Sequence, residues 1–168
     1  MSKLLKTVYA ATRMTSSAIV KSVRGKLKMN KRPDWDEVWM QTADIIAQRS
    51  YDPRYQVGVV IVTDDNTQVL AVGYNGNYTG GPNEVESDEP GKSGFIHAEI
   101  NALLKMDYNN PKKKILYVTL SPCRMCAKAI VNAGIDEVVY GSAYRDTSGL
   151  NVLSDAGVQI RRRHLSIE

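Results

Sequence analysis

One imidazole, two thiols and one carboxylate stand in two short stretches of this chain, His97-Ala98-Glu99 and Pro122-Cys123-Arg124-Met125-Cys126. A histidine and two cysteines are three of the four donors of a tetrahedral zinc site, and a site with three protein ligands keeps its fourth position for water. Water held there has a pKa near about 7 and becomes a nucleophile at neutral pH. Glu99 need not bind the metal; it can take the water's proton and deliver it to a substrate. Such a set adds hydroxide to an electron-poor carbon, with one carboxylate shuttling protons.

The spacing tells which elements must carry these groups. Cys123 and Cys126 lie i and i+3, so on a helix's first turn both sulfurs share one face. Pro122 suits a helix start, where no amide donor is needed. The partial positive charge of a helix N-terminus favours thiolates. His97 begins a second helix, and the ligands converge if the two helix starts face each other. A Cys-x-x-Cys pair also serves redox dithiols, but these have no use for His-x-Glu. A closed structural zinc site needs a fourth ligand, and the only other histidine, His164, lies in the terminal tail.

At 168 residues the chain is long enough for one domain with a real core. No stretch of about 18 apolar residues occurs, so no membrane helix is expected. Two cysteines three apart are no disulfide framework, which points to a reducing, cytoplasmic setting. The net charge of +4 is unevenly spread. Residues 1–33 hold nine of the 22 basic residues and no acid, leaving 13 basic and 18 acidic residues, a formal charge of −5, in 34–168. The mildly acidic body argues against a broad nucleic-acid footprint.

Residues 1–32 read as a basic N-terminal extension with a rough helical stripe at Leu4, Leu5, Val8, Tyr9, Ile19, Val20, Val23 and Leu27. A transit peptide, a nucleic-acid-binding tail and a second start at Met29 are the other readings of this segment. The domain proper is placed at 33–168. A helix is expected over 34–50, capped by Asp34 with Glu37 three residues on. Trp35, Val38, Trp39, Thr42, Ile46 and Arg49 are expected to form its core face. Asp52-Pro53 ends it.

Strands over 56–62 and 69–74 make a hairpin across Asp64-Asp65-Asn66. Residues 75–95 form a long loop with five glycines and two prolines, and loops of that length are usually functional. Further helices are expected over 96–106, 123–133 and 150–156, and strands over 114–120, 136–140 and 157–161. Strands alternating with helices after the hairpin imply a three-layer α/β/α sandwich with a mixed five-stranded sheet, its last two strands parallel.

The order His-x-Glu then Pro-Cys-x-x-Cys resembles the zinc-dependent nucleobase deaminases. Arg49-Ser50-x-Asp52-Pro53-x-x-Gln56-Val57-Gly58, Gly73-Tyr74-Asn75-Gly76, Gly80-Gly81 and Thr119-Leu120-Ser121-Pro122 narrow the resemblance to deoxycytidylate (dCMP) deaminases, over about residues 34–162. The resemblance implies a cytidine-deaminase-like fold and conversion of dCMP to dUMP and ammonia, a step that supplies dUMP for thymidylate synthesis. His97, Cys123 and Cys126 would hold one zinc per chain, with Glu99 as the proton shuttle. The Ala98 backbone would donate to the pyrimidine carbonyl and the Ser121 carbonyl would receive the amino group. Asn75 would hold the sugar hydroxyl, and Tyr144 would lie beside the substrate.

A phosphate dianion needs cations in an acidic body; Arg54 and Arg145 are assigned to it, with Ser50 as a hydroxyl donor. The resemblance further implies a hexamer activated by dCTP and inhibited by dTTP, with Mg2+ accompanying the triphosphate. Arg49, Gly76, Asn77 and Tyr78 are the residues assigned to that site. The competing substrates are free nucleosides and tRNA. The phosphate cations would be idle with the first, and the acidic body disfavours the second. A non-catalytic zinc scaffold would not need Glu99.

Overall fold

The computed structural model describes residues 32–163 apart from residue 90. The expectations for residues 1–31 and the tail histidine lie outside the described residues. Nine elements follow in order: α1 (Trp35–Ala47), β1 (Gly58–Thr63), β2 (Val69–Tyr74), α2 (Ala98–Leu103), β3 (Lys114–Leu120), α3 (Arg124–Asn132), β4 (Glu137–Ser142), α4 (Ser148–Asp155) and β5 (Gln159–Arg162). Among the described residues no helix is long and apolar enough to cross a membrane.

The sheet order is β2-β1-β3-β4-β5. β1 pairs antiparallel with both β2 and β3, while β3–β4 and β4–β5 are parallel. This is the expected mixed sheet. Helices lie on both of its faces, so all six residues of β1 are buried. Val59, Ile61, Leu116, Val118 and Val138 point to the side of α2, α3 and α4, where Ala98, Ala102, Ala127, Ile130 and Leu153 meet them. Their alternates Val60, Val62, Ile115, Tyr117 and Val139 pack on Met40 and Ala43 of α1. The period of two in the strands thus fills two cores, one on each face.

α1 starts as expected, with Asp34 accepting from the Glu37 N–H at 2.8 Å. Its buried face corrects the sequence reading. Met40, Ala43 and Ala47 face the sheet, whereas Trp35 is 48% exposed and stacks on Trp39, with ring centroids 5.5 Å apart. The cause is close approach: a Cβ on Gly58 would lie 2.0 Å from the Ala43 carbonyl oxygen and 2.6 Å from the Ala47 nitrogen, so at this point α1 rests on β1 through its alanines. Trp35 is left outside, whereas Trp39 is half-buried against the edge of this core and its indole donates to Asn66 at 2.7 Å.

The two ends of this body are tied. Arg161 on β5 donates to both carboxylate oxygens of Asp36 and also pairs with Glu137; Arg163 pairs with Asp34 at 2.7 Å. The Arg161 guanidinium holds the Asp36 carboxyl below its ordinary range. Buried Tyr117 donates its hydroxyl to the same carboxylate at 2.8 Å.

Candidate active site

The site lies where β3 and β4 finish, the end of the sheet at which α2 and α3 begin. α2 is held there by β2. A Cβ on Gly73 would stand 2.3 Å from the Ala98 oxygen and 2.6 Å from the Ala102 nitrogen, so only glycine lets this helix lie on the strand. Asn101 adds a bond from its amide to the Tyr74 carbonyl at 2.9 Å. His97 is the N-cap of α2 and Cys123 the N-cap of α3. Neither uses its side chain to cap, so both remain directed at the site.

The three ligand atoms converge. His97 Nδ1 lies 3.5 Å from Cys123 Sγ and 3.3 Å from Cys126 Sγ, and all three atoms fall within 4.8 Å of one another. With zinc–nitrogen bonds of about 2.0 Å and zinc–sulfur bonds of about 2.3 Å, a tetrahedral site has nitrogen–sulfur edges of about 3.5 Å. The residues therefore fit a zinc ion. Cys123 is held down to about 3, first by its hydrogen bond with Cys126 and then by that with His97. The same bond, with burial, pushes Cys126 up, and the bond to Cys123 raises His97.

Glu99 sits beside this cluster, 4% exposed, and its burial raises its pKa. A raised carboxyl pKa suits a group that must both accept and return a proton.

A cavity of about 740 Å³, mouth included, opens onto His97, Ala98, Glu99 and Cys123. Of the residues assigned from sequence, Arg54, Asn75, Ser121, Tyr144 and Arg145 also line it. Ser50 does not; it is buried at the end of α1, its hydroxyl accepting from the Asp52 N–H. Arg49 is exposed just past α1. Gly76 pairs its backbone with Ile96 in both directions, at 3.1 and 2.9 Å. Asn77 accepts from the Tyr78 N–H and donates to the Pro82 carbonyl, closing a turn on which Tyr78 is exposed.

The outer rim is built from packed pairs. Tyr144 meets Tyr55 edge-on at 6.5 Å, and the Arg145 guanidinium lies 5.7 Å over the Tyr144 ring. The Tyr144 N–H donates to the Ser121 hydroxyl at 2.8 Å. Arg54 donates to the Asp88 carbonyl, and its guanidinium is 3.7 Å from the Asp88 carboxylate. The long loop over 75–95 therefore contributes to the rim, with Gly91, Ser93 and Phe95 in the lining.

Sequence reasoning missed Asp52, Tyr55 and Phe95 as pocket residues. In the sequence Asp52 ends the first helix and belongs to the Arg49–Gly58 segment of the resemblance, with no role assigned to its side chain. Buried, it accepts from the N–H groups of Arg54 at 2.8 Å and Tyr55 at 3.1 Å, and from the Asn75 amide at 3.3 Å. Asn75 donates also to the Tyr55 carbonyl and accepts from the Val57 N–H, each at 2.8 Å. Both of its N–H donors are thus engaged, so it meets a ligand as an acceptor. Replacing Asp52 by Ala should cost about 1–3 kcal/mol of stability, the loss expected when buried donors lose their partner. It should also raise substrate KM about tenfold, because Arg54, Tyr55 and Asn75 lose their common anchor. Thermal melting and steady-state kinetics on one preparation check both; an unchanged KM would refute the positioning role.

Comparison with known proteins agrees with this geometry. Residues 33–142 match the family model of the cytidine and deoxycytidylate deaminase zinc-binding region. Human deoxycytidylate deaminase is 36% identical over 153 residues, covering 82% of this chain and 85% of its own. The deoxycytidylate deaminase of Mycobacterium phage D29 is 39% identical over 124 residues, covering 65% of this chain and 95% of its own. The crystal structure of the cyanophage S-TIM5 dCMP deaminase in complex with dCMP and dUMP superposes with a TM-score of 0.66 at 32% identity, covering 79% of this chain and 99% of that one. With its His-Cys-Cys cluster and buried glutamate in place, the chain belongs to the zinc-binding cytidine and deoxycytidylate deaminase family.

Proposed function

We propose that this chain deaminates dCMP hydrolytically to dUMP and ammonia, with residues 33–168 as the catalytic domain. The observation that carries the proposal is a single pocket lined by Glu99 and the His97-Cys123 ligands at its inner end and by Arg54, Tyr144 and Arg145 at its rim. The relatives named for this substrate support it. His97, Cys123 and Cys126 would hold one zinc per chain, which would supply Lewis acidity and lower the pKa of water. Glu99 accepts a proton from water, passes it to the ring nitrogen, and delivers the second to the departing amine. The water oxygen ends on C4, and the C4–N bond breaks.

The remaining residues orient the base and the sugar phosphate. The Ala98 N–H lies in the first turn of α2, where amide donors have no helical partner, and donates to the pyrimidine carbonyl in this proposal. Ser121 spends its N–H on the Ser142 carbonyl, and its hydroxyl accepts from Tyr144, which leaves its carbonyl for the amino group. Asn75 accepts from the sugar hydroxyl. Arg54 and Arg145 receive the phosphate, and Arg54 exchanges Asp88 for it.

The test is turnover of dCMP, dCTP, deoxycytidine and cytidine in parallel. dCMP should be preferred. Arg54→Ala and Arg145→Ala should each lower kcat/KM for dCMP by about 10–100-fold, the worth of a charged hydrogen bond, while barely moving deoxycytidine. Equal turnover of dCMP and deoxycytidine, or unchanged variants, would sink the assignment.

The same reading extends to regulation of a hexamer by dCTP and dTTP, with Mg2+ on the triphosphate. Its structural support is the Gly76–Ile96 backbone pair, which links the Asn77-Tyr78 turn to the residue just before His97. Adding each triphosphate with Mg2+ to the same assay decides it.

A further inference from the structure

We infer that Gly149 is a positioning residue for the metal ligand Cys123, and that through it α4 and the metal loop form one unit. Gly149 is buried in the first turn of α4. A Cβ built on it would lie 2.0 Å from the Pro122 oxygen, 2.8 Å from the Cys123 carbonyl carbon and 2.9 Å from the Cys123 oxygen. All three are backbone atoms, which cannot swing aside as a side-chain end can. The backbone of a metal ligand therefore rests directly on this helix, and its place is set by the lack of a side chain at 149.

A second tie leads to the same unit. The Ser121 hydroxyl accepts the Tyr144 N–H at 2.8 Å, one residue before Pro122 and five before Gly149. Asp146 fixes the start of α4 by accepting the Ser148 N–H and hydroxyl, each at 2.9 Å. The segment 144–149 thus touches the loop 121–123 twice, once at the substrate rim and once under the ligand. Cys123 is the half-buried ligand and caps α3 without a side-chain bond, so it depends on this backing more than buried Cys126 does. The inference needs a metal at the site and is independent of which substrate is turned over.

The experiment compares Gly149→Ala with Gly58→Ala. The Gly58 Cβ would be equally close to backbone, 2.0 Å from the Ala43 oxygen, but on the opposite face of the sheet from the ligands. Zinc affinity is measured by chelator competition, and ligand geometry by the absorption spectrum of the cobalt(II)-substituted protein. Gly149→Ala should weaken zinc binding about 10–100-fold, as loss of an outer-sphere support does, and alter the cobalt spectrum. Gly58→Ala should lower the melting temperature and leave both metal readouts unchanged. Unaltered affinity and spectrum in Gly149→Ala, or equal changes in both variants, overturn the inference.

If Gly149→Ala does not fold, the unsubstituted protein decides. Removing zinc with a chelator should speed amide exchange across α4 and leave α1 as it was. Identical α4 exchange with and without zinc overturns the inference.

Discussion

Glu99→Gln should reduce deamination by about 10²–10⁴-fold, the range that a positioned general acid–base contributes, while the zinc content stays unchanged. The substitution keeps the volume and hydrogen-bonding shape of a side chain that is 4% exposed, so the core around α2 has no reason to rearrange. It removes only the ability to take and return a proton. The loss should fall on kcat rather than KM, because in the proposed mechanism Glu99 moves protons in the transition state while the phosphate is assigned to Arg54 and Arg145. The variant should therefore bind dCMP with near-normal affinity, measurable by calorimetry. A variant that retains more than about a tenth of the rate would remove Glu99 from the mechanism.

Cys126→Ala should abolish both metal binding and turnover. Cys126 is the buried thiol of the cluster, 1% exposed, and without it His97 and half-buried Cys123 are left. Loss of a ligand should cost more than the roughly 10–100-fold that follows loss of an outer support. Metal analysis after gel filtration should find a negligible fraction of chains loaded, and added zinc should not restore the rate at stoichiometric concentration. Depleting the unsubstituted protein by chelation should give the same inactive state, but restored by stoichiometric zinc. That contrast separates loss of the ligand from loss of the fold. A Cys126→Ala protein that keeps its zinc and its rate would mean that the cluster is not the catalytic centre.

The fold was legible where local rules and tertiary packing agree. The runs Val59–Val62 and Ile115–Val118 are strands as expected, and their successive side chains enter the two cores in turn, as the middle layer of a three-layer sandwich requires. The Asp34 cap and the hairpin across Asn66, which adopts a φ of 60°, are local and were read correctly in kind. The face of α1 was not, because Trp35 and Trp39 dominate any ranking by hydrophobicity. Their place is decided by how α1 lies on β1: its backbone meets Gly58 so closely that Ala43 and Ala47, with Met40, form the face toward the sheet.

The site divides along the same line. The ligands were legible because i, i+3 spacing at a helix start is a property of the chain itself. The convergence of Asp52, Tyr55 and Phe95 around Asn75, which the resemblance does assign to the site, was not, because these residues come from turns and from the 75–95 loop, whose courses depend on distant contacts. A buried aspartate before proline looks like a helix stop until its three hydrogen-bond donors are seen.

The arginine ties between β5 and α1 set the span over which this body is closed. Arg161 meets Asp36 across 125 residues and Arg163 meets Asp34 across 129, whereas His97 meets the two cysteines across 26 and 29. Closing a longer chain segment loses more entropy, but only as the logarithm of its length, about 1 kcal/mol between these two cases. The contacts at the ends of the body thus lose little more to closure than those at its centre, and the seam at Arg161 joins two elements that the chain itself holds far apart.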